Sequence, residues 1–196
     1  MKHLIEKALA EGKSYSEYRT HITDLLAEGK VTGHTQTEAL VGYSDLNTTR
    51  MKRLDKTIKL IDGFENETEK IKEKYTLLVL SEGWCGDAAQ ALPVLNIMTE
   101  ANEKLDLKII SRDENIDLMN LFLTNGGQAI PKVLVIKQSD LSVVGDWGPR
   151  PGVAQQMILD YKKENGVIDE QAKINLQKWY LKDKGISTQK EIITLF

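Results

Sequence analysis

The chain contains a single cysteine, Cys85, in a setting where a thiol can act as a nucleophile. Residues 77–80 read Leu-Leu-Val-Leu, a short apolar run typical of a buried strand. A helical pattern of apolar residues begins directly after the sequence WCGDA at residues 84–88. We therefore expect Cys85 at a helix N-terminus, where unpaired N–H groups and the positive end of the dipole favour an anion. This setting lowers a thiol pKa and favours attack on a disulfide, a peroxide or an electrophile.

These residues resemble the active site of a known superfamily. Residues 84–88 resemble the WCGPC motif of thioredoxins, and Pro93 matches the proline inside the thioredoxin active-site helix. Residues 128–136, QAIPKVLVI, are similar to the start of the thioredoxin strand that carries the cis-proline. The resemblance covers residues 74–165, and the order of the three motifs makes it specific. With its helical leader and the later WGPRP, the chain is identified as similar to bacterial thioredoxin family proteins with a WCGD motif lacking the resolving cysteine.

Two departures from the thioredoxin pattern change the expected chemistry. Ala88 stands where thioredoxin has its resolving cysteine, so no disulfide can form within the active site. Val79 stands where thioredoxin has the buried aspartate that accepts a proton from the second thiol. The two losses are consistent with each other, and they place ordinary dithiol reductase activity in doubt.

The resemblance also implies a substrate groove beside Cys85. A cis bond before Pro131 would present the backbone of Ile130 to an extended substrate. A trans bond at a plain strand-edge proline is the alternative. Trp84 and Gly86 are expected to border the groove, with Trp84 either shielding the sulfur or packing on the sheet edge. We expect the thiol itself to be exposed.

The loop at residues 146–152 is expected to lie near the nucleophile. Trp147 is a candidate to cover the groove. Arg150 either holds an anion, such as a carboxylate or the Cys85 thiolate, or ties the loop through backbone carbonyls. The charge of Asp87 opposes a thiolate if its side chain points toward the sulfur, while Arg150 and the helix dipole act in the other direction. The sequence leaves the outcome of that competition open.

Composition narrows the classes of partner. The chain has 196 residues, 41% of them hydrophobic, and a formal net charge of −3 with both signs interspersed. No strongly basic field is present to attract nucleic acid or an anionic membrane. No signal peptide or transmembrane run occurs, so the expected location is the cytoplasm. We expect a monomer or a weak homodimer.

No metal or other cofactor is expected. The three histidines, His3, His21 and His34, lie apart in the leader without ligand spacing, and we take them as ordinary surface or partly buried residues. Monothiol glutaredoxins, some of which bind an iron–sulfur cluster, have a CGFS motif and an upstream lysine. Neither is present here, where Glu82 stands before the motif.

The predicted fold class is α/β, a thioredoxin-like fold with a central mixed sheet flanked by helices. We expect a helical N-terminal extension packed on the core at residues 1–73, the thioredoxin-like core at 74–166 and a C-terminal helical extension at 167–196. Capping-box patterns at residues 14–17, 35–38 and 188–191 predict helix starts. Separate helices are expected around residues 35–41 and 44–60, and another over residues 113–123.

Two functions from different classes follow, and it is uncertain whether the protein is an enzyme. In the first, Cys85 performs monothiol redox chemistry or thiol–disulfide exchange with a disulfide-containing protein or a low-molecular-weight thiol, and an external thiol resolves the mixed disulfide. In the second, the groove beside Cys85 and Pro131 binds a peptide or protein partner without catalysis. A third interpretation treats Cys85 as a small core residue.

Overall fold

The computed structural model describes residues 1–196. The chain forms nine α-helices and four strands, with a 3-10 turn at Asp113–Asn115. The helices are α1 (Lys2–Glu11), α2 (Tyr15–Ala27), α3 (Glu38–Thr57), α4 (Phe64–Thr68), α5 (Gly86–Glu100), α6 (Ile116–Met119), α7 (Gly152–Asn165), α8 (Glu170–Asp183) and α9 (Ile186–Ile193). The strands are β1 (Tyr75–Ser81), β2 (Leu105–Ser111), β3 (Lys132–Lys137) and β4 (Val143–Trp147).

The four strands form one mixed sheet in the order β2-β1-β3-β4. Strands β1 and β2 are parallel and are joined through α5, as the alternation of strand and helix predicts. Strand β3 is antiparallel to both β1 and β4. The backbone at Lys13 also pairs with Ile109 and covers part of the outer edge of β2. This mixed sheet flanked by helices confirms the predicted fold class.

The two central strands are apolar because both of their faces are covered. Leu77, Leu78, Val79 and Leu80 of β1 are completely buried, as are residues 133–136 of β3. A strand that is buried on both faces reads as a continuous hydrophobic run rather than an alternation. Strand β1 therefore ends at a fixed point in the core, and that point is where the chain turns toward Cys85.

The N-terminal helices share the main hydrophobic core with the sheet. Ile5, Tyr18, Ile22 and Met51 belong to the same buried cluster as β1 and α5. The capping box predicted at residues 14–17 is confirmed at the start of α2. The boundaries assigned above to the two helical extensions stay predictions.

The prediction of two helices between residues 35 and 60 was wrong. Thr37 caps a single helix, α3, through a bond from the Leu40 backbone N–H to its hydroxyl. The helix continues through Gly42, since the cost of an internal glycine, about 1 kcal/mol, is small beside the burial of Met51 and Leu54.

Two other helix predictions also need correction. The helix expected over residues 113–123 is only one turn, α6, because Ile116, Leu121 and Leu123 are exposed and no packing extends it. The last helix begins before the predicted box at residues 188–191. Inside α9 the buried Gln189 side chain bonds to the backbone of Lys59 and Ile61, so tertiary contacts replace the cap.

A second, smaller hydrophobic cluster joins α7 to α8, and it consists of Ala154, Ile158, Ala172, Leu176 and Tyr180. No helix of the structure is both long and apolar enough to cross a membrane.

Gly148 allows the loop after β4 to pack closely against the start of β3. Its φ is +120°, and an added Cβ would lie 2.1 Å from the carbonyl oxygen of Pro131. We expect Gly148→Ala to lower the free energy of unfolding by about 3 kcal/mol or more, because neither backbone can move freely. Urea denaturation measures this loss.

The matched control is Gly126→Ala. Gly126 has a φ of +77°, but an added Cβ meets no atom within 4 Å. Its expected cost is therefore only the left-handed conformation, about 1–2 kcal/mol. Equal losses in the two variants would show that the close approach at Pro131 does not constrain the loop.

Candidate active site

The end of β1 and the start of α5 place Cys85 beside the loop that precedes β3. Cys85 is the N-cap residue of α5, and its Sγ donates to the Ile130 carbonyl oxygen at 3.2 Å. The Ile130–Pro131 peptide bond is cis, as the sequence resemblance implied. The thiol is thus held against the backbone segment that was expected to receive a substrate.

Burial decides the protonation of the thiol. Cys85 is only 9% exposed, so the expectation of an exposed thiol was wrong. Burial first and the charge of Asp87 second raise the pKa of Cys85 from 9.0 to about 12. The N–H groups of Ala88 and Asp87 and the charge of Arg150 lower that pKa but do not prevail. The competition that the sequence left open is therefore decided in favour of the protonated thiol.

Asp87 is held by two side chains from distant parts of the chain. The Arg150 guanidinium donates to Asp87 Oδ2 through Nε at 3.0 Å and through Nη2 at 2.5 Å. The Tyr180 hydroxyl donates to Asp87 Oδ1 at 2.7 Å. Both carboxylate oxygens are thus satisfied, which makes burial of this charge tolerable beside a thiol. We call Asp87, Arg150 and Tyr180 the carboxylate cluster.

Arg150 holds an anion within the chain, the carboxylate of Asp87. Its predicted role in binding a substrate stays a prediction. Its Nη1 donates to the Gln155 side chain at 2.9 Å, so neither partner is a backbone carbonyl. Its charge also reaches Cys85 and lowers the thiol pKa, although by less than burial and Asp87 raise it.

The N-terminal extension covers the loop before Cys85. The Gly83 N–H donates to the Thr32 hydroxyl at 2.8 Å, and the Asn47 side-chain amide donates to the Gly83 carbonyl at 2.9 Å. Trp84 Nε1 donates to the Thr32 carbonyl at 3.2 Å. The sequence left open which side of the sheet this extension covers, and these bonds place it on the Cys85 side.

Trp84 is fixed on a second side by a cation. The Arg112 guanidinium lies over the indole ring, 5.2 Å from its centroid, and also bonds to Asp113. Cation–π contacts of this kind contribute about 0.5–1 kcal/mol at exposed sites. Trp84 is therefore held in place rather than free to swing over the thiol.

The remaining predicted residues are positioned as follows. Gly86 opens α5, and a Cβ built on it would lie 3.6 Å from the Arg50 guanidinium. Trp147 is buried, packs in the main core and donates to Glu191 Oε2 at 2.6 Å. Roles of these residues, and of Ile130 and Pro131, in binding a substrate stay predictions.

Sequence reasoning missed several residues that hold the site together. They are Thr32, Asn47, Gln155 and Tyr180, together with Gln177, which accepts from Gln90 on α5 at 2.7 Å. Tyr180 was expected only on the inner side of its helix, and no local pattern signals a bond to a residue 93 positions away. No group of three or more His, Cys, Asp or Glu side chains is placed to hold a metal ion.

These elements define a thioredoxin-fold protein with one thiol at the start of α5, next to a cis-proline. Comparison with known proteins supports the thioredoxin fold. A family model described as thioredoxin matches residues 33–171, so the chain belongs to this thioredoxin family. No curated protein matches the chain.

Two solved structures resemble the chain over nearly its full length. A protein of unknown function, PA1234 from Pseudomonas aeruginosa, is 20% identical with a TM-score of 0.58, over 93% of this chain and 96% of that one. An HIV epitope-scaffold is also 20% identical, with a TM-score of 0.57, over 93% of this chain and 97% of that one. Likeness at this identity supports the fold alone.

The raised thiol pKa predicts slow alkylation of the folded protein. We expect the rate of reaction with iodoacetamide to inflect near pH 12, and near pH 9 after unfolding in urea. Asp87→Asn should move the folded inflection downward, because it removes the second largest contribution to the raised pKa and leaves Arg150 without its carboxylate. Mass spectrometry of the alkylated protein measures the rates.

The matched control is Asp160→Asn, a carboxylate on α7 that bonds only to the neighbouring Gln156. It should leave the inflection unchanged. An inflection in the folded wild-type protein at or below that of the unfolded chain would refute the burial argument.

The same shift makes stability depend on alkaline pH. The folded state keeps the Cys85 proton to about pH 12, whereas the unfolded chain loses it near pH 9. The folded state therefore binds more protons between these values, and the free energy of unfolding falls as pH rises through them.

Buried tyrosines act in the same direction, because burial raises the pKa of Tyr18 and of Tyr180. The Cys85 contribution is therefore measured as the difference in stability between wild type and Cys85→Ala at each pH. That difference should shrink steadily above pH 9. A difference that stays constant to pH 12 would contradict the raised pKa.

Proposed function

We propose that this protein is a monothiol thioredoxin that exchanges disulfides through Cys85, with an external thiol as resolver. The observation that carries the proposal is the 3.2 Å bond from Cys85 Sγ to the Ile130 carbonyl oxygen. It places the one thiol of the chain on the backbone beside Pro131. The WCGD motif and Ala88 support the monothiol class, because no second thiol is available.

Substrate binding is proposed to activate the thiol. At rest, Ile130 O accepts from the thiol and favours its protonated form. An extended substrate whose backbone N–H takes Ile130 O as its acceptor removes that bond. The N–H groups of Asp87 and Ala88 remain directed at the sulfur and favour the thiolate. The proton leaves to solvent, and the resting protein stays unreactive toward small electrophiles.

The covalent step is a thiol–disulfide exchange. The Cys85 thiolate attacks one sulfur of the substrate disulfide, the substrate S–S bond breaks, and the leaving sulfur departs as a thiolate that takes up a proton. The product is a mixed disulfide between Cys85 and the substrate.

An external low-molecular-weight thiol completes the cycle. Its thiolate attacks the substrate sulfur of the mixed disulfide and regenerates Cys85, leaving a disulfide between the external thiol and the substrate. The proposed setting is the cytoplasm, where such thiols are abundant.

A second function rests on the burial of the thiol. A thiol with a pKa near 12, beside a carboxylate that is already neutralised by Arg150, fits a groove that binds a peptide without covalent chemistry. In this alternative the backbone at Ile130 and Pro131 pairs with an extended partner, and Cys85 only contributes to packing.

Disulfide exchange with two probes tests the first function. One probe is bis(2-hydroxyethyl) disulfide, which has no amide N–H, and the other is an extended peptide whose single cysteine is a mixed disulfide with 2-mercaptoethanol. We expect the folded protein to form Cys85 adducts at least about tenfold faster with the peptide probe, because only the peptide has backbone N–H groups that compete for Ile130 O. Mass spectrometry follows the adduct, and added glutathione should remove it.

The urea-unfolded chain is the matched control, and it should react equally with both probes. Cys85→Ser should form no adduct. If the unfolded chain reacts and the folded protein reacts with neither probe, the exchange function is refuted. Tight, reversible binding of the peptide to wild type and to Cys85→Ser alike would then favour the non-catalytic groove.

A further inference from the structure

A large cavity lies between the N-terminal and the C-terminal helices, outside the Cys85 site. Its volume is about 1030 Å³, just above the range of about 300–1,000 Å³ for small-molecule sites. The walls come from the end of α3, residues 58–62, α4, the end of α8 and α9. We call it the basic cavity, for the side chains described next.

The basic cavity carries an excess of positive charge on a protein whose net charge is −3. The lining residues include five cationic side chains and only two carboxylates, those of Asp62 and Glu67. None of the five forms an ion pair anywhere in the structure. The five are Arg53, Lys59, Lys70, Lys184 and Lys190.

The basic cavity also has apolar lining residues. Eight of its 17 lining residues are hydrophobic. They include Leu54, Ile58, Ile61, Leu181, Ile186 and Ile193. Leu181 and Ile186 are 57% and 42% exposed, so apolar surface is open to solvent next to unpaired cations. Such a combination suits a ligand with a hydrocarbon chain and a negative head group.

We propose that the basic cavity binds an aliphatic carboxylate of the fatty-acid class as a free small molecule. The chain lies on the isoleucine and leucine side chains, and the carboxylate lies among the lysine ammonium groups. Burial of each methylene contributes about 0.8 kcal/mol, so the chain supplies affinity and the cations select the anionic head.

The proposal does not depend on Cys85 chemistry. No residue that lines the basic cavity reacts in the proposed disulfide exchange. Tyr180 lines the cavity and also bonds to Asp87, but it has no step in that reaction. Cys85→Ser should therefore bind the ligand with unchanged affinity. Failure of disulfide exchange leaves this site in place, and failure of ligand binding leaves the exchange reaction in place.

Isothermal titration with laurate tests the proposal. Laurate should bind with one site per chain, while its methyl ester and acetate should each bind at least about tenfold more weakly, since one lacks the charge and the other the hydrocarbon. Lys184→Glu with Lys190→Glu should weaken laurate binding at least about tenfold. The double variant Lys162→Glu with Lys163→Glu, on α7 outside the cavity, is the charge-matched control and should bind as wild type does.

A second pair of variants tests the apolar wall. Leu181→Asn replaces an apolar side chain of the cavity with a polar, uncharged one, and Leu159→Asn makes the same change on α7, where Leu159 is 43% exposed. Only the first should weaken laurate binding. The proposal is overturned if laurate and its methyl ester bind equally. It is also overturned if the double variant at Lys184 and Lys190 and the control at Lys162 and Lys163 weaken laurate binding equally. It is also overturned if the protein binds acidic peptides or anionic vesicles but not monomeric laurate.

Discussion

The buried carboxylate of Asp87 holds two distant segments of the chain against α5. The carboxylate lies in the first turn of α5, two residues after a thiol and 10% exposed on its side chain. A carboxylate in that position needs partners, because an unpaired buried charge costs several kcal/mol. Arg150 reaches it from the loop after β4, and Tyr180 reaches it from α8. Both segments are therefore held on α5 by one side chain.

The other side of the site is fixed by neutral groups. Thr32 and Asn47 satisfy the N–H and the carbonyl of Gly83, two backbone groups that no strand or helix satisfies at this turn. Helix α3 and the connection that precedes it thus stabilise the turn before Cys85. In this protein the surroundings of the thiol come from three separate parts of the chain, and their closeness excludes water. That exclusion raises the thiol pKa more than the helix start lowers it.

The sequence predicted the parts of the fold that depend on local patterns. The strand at residues 77–80 and the helix start at Cys85 were predicted from patterns that span only a few residues. The cis bond before Pro131 was predicted from the resemblance of the neighbouring residues to thioredoxins. Burial of Cys85 and the partners of Asp87 were not predicted. They depend on contacts such as Tyr180 to Asp87, which no short-range periodicity encodes. The single helix α3 was missed because burial of its apolar side chains outweighs the preference against an internal glycine. The early start of α9 was missed because hydrogen bonds from Gln189 to a distant segment replace the predicted cap.

Tyr180 belongs to two environments at once: its ring lines the cavity between the helical extensions, and its hydroxyl bonds to Asp87. One side chain cannot move in one of these places without moving in the other. A molecule whose affinity depends on the position of this ring therefore has an affinity that depends on the state of Asp87. By thermodynamic reciprocity, the same molecule must change the free energy of that change at Asp87 by an equal amount. Tyr180 is therefore a side chain that the cavity and the carboxylate cluster have in common.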